Sequence, residues 1–273
     1  MKKGLAIGGM ALVFAAGLGC LLYPKVSDLI NRLTSTVEIS HYEQAVEAID
    51  DEKLKERKER AVFYNQMLAG MDPGEAFTGE NLKQEEYETA LEVDGISGYI
   101  EISGIAVYLP IYNRTDEKFL QKGVCHLEHT SLPIGGESTH CVLSGHTGLP
   151  SAELLTDLDQ MEQGDVFYLH VLDETYAYQV DQIKIVLPDE TEDLQIVEGK
   201  DYTTLVTCTP YGVNDHRLLV RGTRIPYILE EAGEPAEEKQ MKTYRHILTA
   251  AAAAVGILAI IITAIMIRRR RRR

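Results

Sequence analysis

The chain has no C-x-x-C pair, no Walker-type glycine loop, no Cys/His spacing of the kind that holds a metal, and no internal repeat. Those absences exclude a dithiol redox centre, a P-loop nucleotide site, a zinc ribbon and a solenoid. Neither a metal nor an organic cofactor is expected. Basic side chains are also scarce where they would matter. The 273 residues hold 27 Lys and Arg against 42 Asp and Glu, and eight of the 27 stand at the extremities, at positions 2, 3 and 268–273. The stretch between them has 19 basic side chains against 42 acidic ones, a balance that argues against a nucleic-acid partner.

What the sequence does have is two long uncharged runs. Residues 5–23 form 19 consecutive positions without a charge, about 28 Å as a helix, and 247–267 form 21 more. Both are long enough to cross a bilayer. The flanking lysines and the terminal arginine cluster place both chain ends in the cytoplasm by the positive-inside rule, with the middle of the chain outside and the whole a two-pass cell-membrane protein. A cleaved signal peptide is the competing reading of the first run, although no A-x-A site is evident and the run is long for one.

The middle then divides by composition. Residues 1–25 read as the first anchor and 26–80 as a helical region ending in a loop. Within it, Glu, Lys, Arg, Ala and Leu dominate from 40 to 68, with i, i+4 charge pairs such as Lys55 and Glu59 on a solvated face. Residues 69–79, AGMDPGEAFTG, are a loop by their Gly and Pro content. From 81 to 228 the pattern turns to short strands rich in β-branched and aromatic residues, expected at 98–102, 106–109, 141–144, 166–172, 175–186, 203–208 and 217–224. Seven or eight such strands imply a mainly β fold, a closed or nearly closed barrel of about eight strands. A helix is expected from Ser151 through PSAELLTDLDQM. Residues 229–246 are acidic, interrupted by Pro235, and read as a linker to the second anchor and arginine tail at 247–273.

Chemistry concentrates in TLVTCTPYGVNDHR, residues 204–217, where Cys208 ends an apolar run and Arg217 opens the next one across a turn. A thiol becomes a useful nucleophile when a nearby cation or histidine favours the thiolate, and an arginine beside it can hold a developing oxyanion. This stretch resembles the active-site strands of sortases, the membrane-bound cysteine transpeptidases of Gram-positive bacteria, and most closely those of the pilus-building class C. HCVLSGHTGLPSAELLTDLD, from His140, is similar to the segment that carries the sortase histidine, which maps onto His146. The apolar run 100–109 and HLEHTSLPIGGES fit the same family. The resemblance implies a sortase-like barrel with Cys208 as nucleophile, His146 as its acid/base partner and Arg217 as the oxyanion or substrate-orienting group. His126, His129, His140, His170 and His216 are expected to be structural, as are Arg221 and Arg224. Whether Cys125 and Cys141 pair is left open by the sequence.

The resemblance also implies the reaction. A thiolate attacks the Thr-Gly bond of a C-terminal LPxTG-like sorting signal in a pilin or surface-protein precursor. The resulting thioester is resolved by an amine, in class C the lysine of a neighbouring pilin. The alternatives are a sortase that anchors surface proteins to peptidoglycan and a non-catalytic membrane-anchored assembly protein. Class C members carry a lid with an Asp-Pro-aromatic tip lying over the cysteine. Here Asp72 and Pro73 are present but Gly74 stands at the aromatic position, so Phe77 is the nearest ring available as cover.

Overall fold

The computed structural model describes residues 2–70, 87, 90–228, 235–242, 244–246 and 249, the side chains of 2–12 and 15 excepted. The lid residues Asp72, Pro73 and Phe77 and almost all of the second apolar run lie outside them. A 46-residue helix, α1 (Lys2–Glu47), is followed by α2 (Asp51–Ala69). The reversal between them is set by Asp50, whose carboxylate accepts from the Lys53 amide at 3.0 Å and so satisfies one of the free N–H groups that begin α2. Among the described residues no helix is long and apolar enough to cross a membrane. The expectation of two spanning helices therefore has no support there. Of the two apolar runs, the side chains of 5–12 and 15 and almost all of 247–267 lie outside the described residues.

Eight strands follow: β1 (Gly98–Ile102), β2 (Val107–Tyr112), β3 (Val124–His126), β4 (Thr139–Ser144), β5 (Val166–Val171), β6 (Glu174–Val186), β7 (Asp201–Thr209) and β8 (His216–Ile225). A four-residue helix, α3 (Glu117–Leu120), precedes β3. The strands close into a barrel in the order β1-β2-β3-β4-β7-β8-β6-β5, with β5 returning to β1. The expected mainly β barrel is present. Alternate residues point inward, among them Ile100, Ile102, Leu143, Phe167, Leu169, Tyr178, Leu205 and Val220, all buried. Each such side chain removed from water contributes about 1.5–3 kcal/mol.

Two expectations need correction. The segment after Pro150 is not a regular helix: Leu154 takes a left-handed φ of 45°, Leu149 and Ala152 form a β-bridge, and only a 3-10 turn at Thr156–Gln160 remains. Ala152, Leu154, Leu155 and Leu158 are nonetheless all buried. Strand β2 also continues past Leu109 to Tyr112. Pro110 is tolerated because β3 pairs only with Ile111 and Tyr112, so the missing N–H falls before that ladder begins.

Helix α1 lies against the barrel through Ile39, Tyr42 and Val46. The Leu172 amide donates to the Tyr42 hydroxyl at 2.7 Å. Nearer its middle, α1 is tied to the loop after β4. The Asp28 carboxylate accepts from the Glu153 amide at 2.7 Å, Lys25 pairs with the Glu153 carboxylate at 2.7 Å, and Arg32 bonds both Asp28 and Glu153. Residues 236–242 are helical and dock on β1 and the turn after it. There the Ala236 amide donates to Glu101 at 2.8 Å and Lys239 donates to the Ser103 carbonyl at 3.1 Å.

Candidate active site

Three neighbouring strands bring the chemistry together. β7 pairs with β8 antiparallel, and Cys208 stands directly opposite Arg217. Directly opposed residues project from the same face, so thiol and guanidinium share one side of the sheet. On its other edge β7 pairs with β4 in parallel, Ser144 beside Val206. The pairing runs on through the Gly145 amide, which donates to the Val206 carbonyl at 3.0 Å, and the Thr207 hydroxyl, which donates to the Gly145 carbonyl at 2.7 Å. His146 thus leaves β4 two residues past Ser144, at the end where Cys208 lies two residues past Val206.

The loop holding His146 is shaped by close packing. A Cβ on Gly145 would lie 2.8 Å from the Leu155 side chain and 3.2 Å from Val124, so no larger residue fits without displacement. Gly148 has a φ of +72° and passes under the Tyr211 ring. The His146 carbonyl accepts from the Leu155 amide at 3.1 Å. At the β7–β8 turn the Pro210 carbonyl accepts from the Val213 and Asn214 amides at 3.0 and 2.9 Å, with Asn214 in the left-handed region at φ 61°.

The three side chains differ in how they are held. Cys208 is half-buried with a free thiol. Arg217 donates through Nη1 to the carbonyls of Asn214 at 3.3 Å and His216 at 3.0 Å, and no described carboxylate pairs with it. The His146 Nε2 is buried without a hydrogen bond, and the nearest carboxylate oxygen is Oε1 of Glu117 at 3.4 Å. Glu117 opens α3, and sequence reasoning passed over it because a surface glutamate ahead of a short helix carries no motif.

A groove of 490 Å³ leads to this end of the barrel. Val142, Val206 and Leu219 form its floor, Val186 and Leu194 one wall, and Arg217 its end. Val142, Val206 and Leu219 are outward-facing residues of β4, β7 and β8, and with Val186 and Leu194 they form a second, smaller apolar cluster outside the barrel interior.

Cys125, Cys141, His126 and His140 are not part of the site. Cys125 and Cys141 are free and buried in the barrel wall. Burial pushes the Cys125 thiol up to about 12 and the Cys141 thiol well above its ordinary value, so neither is a ready nucleophile. His140, at the start of β4, has both ring nitrogens bonded, Nδ1 to the Gln195 carbonyl at 2.8 Å and Nε2 to the Thr204 hydroxyl at 2.7 Å. His126 is held likewise between Tyr87 and the Ser131 carbonyl. Burial lowers both imidazoles to about 4 and keeps them neutral.

A family model for the sortase domain matches residues 100–225. Sortase D of Bacillus subtilis is 30% identical over 164 residues, which cover 58% of this chain and 80% of that protein. The chain belongs to the sortase family. Solved class C members are similar over most of their length. Sortase C1 of GBS pilus island 1 is 45% identical with a TM-score of 0.66, covering 73% of this chain and 96% of that one. The Streptococcus pneumoniae sortase C is 48% identical with a TM-score of 0.63, covering 69% and 96%. The match to sortase A of Bacillus anthracis is shorter: 30% identity over 135 residues, 49% of this chain and 61% of that protein. As a sortase the protein is a cysteine transpeptidase, and its solved counterparts are class C enzymes.

Proposed function

We propose that this sortase polymerises pilins, cutting an LPxTG-like sorting signal and joining the released carboxyl to a lysine of a neighbouring pilin. The observation that carries the reading is the Cys208–Arg217 cross-strand pair beside the end of β4, at the mouth of an apolar groove. In the proposed mechanism the Leu and Pro of the signal lie on Val142, Val206 and Leu219. The Cys208 thiolate attacks the threonine carbonyl, and Arg217 stabilises the oxyanion. His146 protonates the glycine amine as the C–N bond breaks, leaving a thioester on Cys208. A lysine amine then attacks, His146 accepts its proton, and the thiolate departs to leave an isopeptide bond.

The apolar runs at 5–23 and 247–267 would hold the enzyme beside membrane-bound precursors, with the barrel outside and both termini in the cytoplasm, so that encounter occurs in two dimensions. Asp72 would meet Arg217 as the tip of a lid, with Phe77 as the cover that Gly74 cannot supply.

The test is polymerisation. Membranes containing the full-length enzyme, given a pilin with its sorting signal and internal lysines, should yield an SDS-resistant ladder whose isopeptide is found by mass spectrometry. A product joined only to cell-wall cross-bridge amines would favour the anchoring alternative. Signal cleavage without either product would contradict both.

A further inference from the structure

The geometry points to Glu117 as a positioning residue for His146: its carboxylate faces the buried Nε2 and leaves Nδ1 as the nitrogen that serves Cys208 and the departing amine. The inference rests on reading His146 as the acid/base group and adds to it a carboxylate that orients the ring.

Four observations support it. First, Nε2 is buried and unbonded while Oε1 of Glu117 stands 3.4 Å away, so a slight rotation of an exposed glutamate completes the bond. Second, the carboxylate is not loose. Gln121, one turn on at the end of α3, donates to the same oxygen at 3.0 Å. Third, topology makes the proximity a property of the barrel. β3 runs antiparallel beside β4, with Cys125 opposite Ser144, so the segment entering β3 and the loop leaving β4 meet at one end. Fourth, the Glu117 carboxyl is held below the ordinary carboxylate range, by the Gln121 hydrogen bond first and the imidazole's charge second.

The chemical consequence is orientation: a carboxylate accepting from Nε2 fixes which ring nitrogen faces the thiol. Other titratable and charged groups at this end are Asp116 and Lys118 on either side of Glu117, Glu128, His129 and Glu190 along the groove with Arg217, and Asp215 and His216 at the β7–β8 turn. Asp215 is engaged by His216 at 2.8 Å, and among the described carboxylates it is Glu117 that stands 3.4 Å from the His146 Nε2.

The experiment measures kcat/KM against pH for the full-length enzyme in detergent or vesicles, using a quenched fluorogenic peptide containing LPETG. Glu117→Gln should lower kcat/KM by about 3- to 10-fold across the pH range, mainly through kcat with KM nearly unchanged. Glu117→Asp should restore part of the loss, and Gln121→Ala should reproduce it weakly. On a His146→Ala background Glu117→Gln should cost nothing further, because the carboxylate acts through the ring. An unchanged profile in Glu117→Gln beside an inactive His146→Ala overturns this inference alone. So does a full additional loss in the double variant. Full activity of His146→Ala overturns the acid/base reading and this inference with it.

Discussion

The strands β4, β7 and β8 have two ends with nearly the same residue types, and the ends behave oppositely. At one, His140 lies two residues from Val142, its ring bonded on both sides, and Arg221 forms a two-pronged pair with Asp181 at 2.9 Å while stacking over the Tyr202 ring at 4.2 Å. At the other, His146 has a buried nitrogen without a hydrogen bond and Arg217 donates to backbone carbonyls, with no described carboxylate paired to it. Satisfied polar groups contribute stability and are chemically quiet. Unsatisfied ones cost stability and remain free for a substrate. On the proposed mechanism, the same histidine and arginine types are structural at one end and reactive at the other.

Exchanging the ends in mutants should break the comparison most visibly in rate. His146→Ala and Arg217→Ala are each expected to lower cleavage of a sorting-signal peptide by about 10² or more while leaving the melting temperature nearly unchanged. His140→Ala should do the reverse, costing stability through an emptied, half-satisfied cavity and changing the rate far less. Equal rate losses at His140 and His146 would erase the distinction.

Acid should reveal the quiet histidines. His126 and His140 titrate near 4 when folded and near 6.5 when unfolded, so the unfolded chain binds protons first. Their contribution is fully present above pH 6.5 and is lost as pH falls toward 4, by up to about 3 kcal/mol each. Denaturant melts between pH 7 and 4 read this directly, and His140→Gln should flatten part of the slope.

The smallest expected effect belongs to the lid. If Asp72 restrains Arg217, Asp72→Ala should modestly speed labelling of Cys208 by a small thiol reagent, and Phe77→Ala should do so more strongly if that ring is the cover. Unchanged labelling in both would remove the lid from the account.

Much of this was legible in the sequence because the reactive end is nearly contiguous. Cys208 and Arg217 are nine residues apart on one hairpin, and a hairpin's register follows from its turn. The β1, β5, β6, β7 and β8 segments were legible from alternation and β-branched content. Less legible was whatever depends on distant pairing. β3 is three residues long and exists only because β2 and β4 flank it. The parallel β4–β7 ladder joins segments about 60 residues apart and leaves no local pattern. Glu117 was missed for the same reason, since its meaning depends on β3 lying beside β4. The loop after Pro150 has a helix-like pattern, but Leu154 takes a left-handed φ and Leu149 bridges to Ala152, neither of which a local pattern shows.

The most direct test of the central claim is the covalent intermediate. Full-length enzyme incubated with a thiol-reactive sorting-signal analogue, then digested and analysed by mass spectrometry, should carry one adduct, on Cys208. The adduct should be absent from Cys208→Ala and unaffected in Cys125→Ala and Cys141→Ala. An adduct on either buried cysteine, or a Cys208→Ala enzyme that still cleaves the signal, would contradict the account.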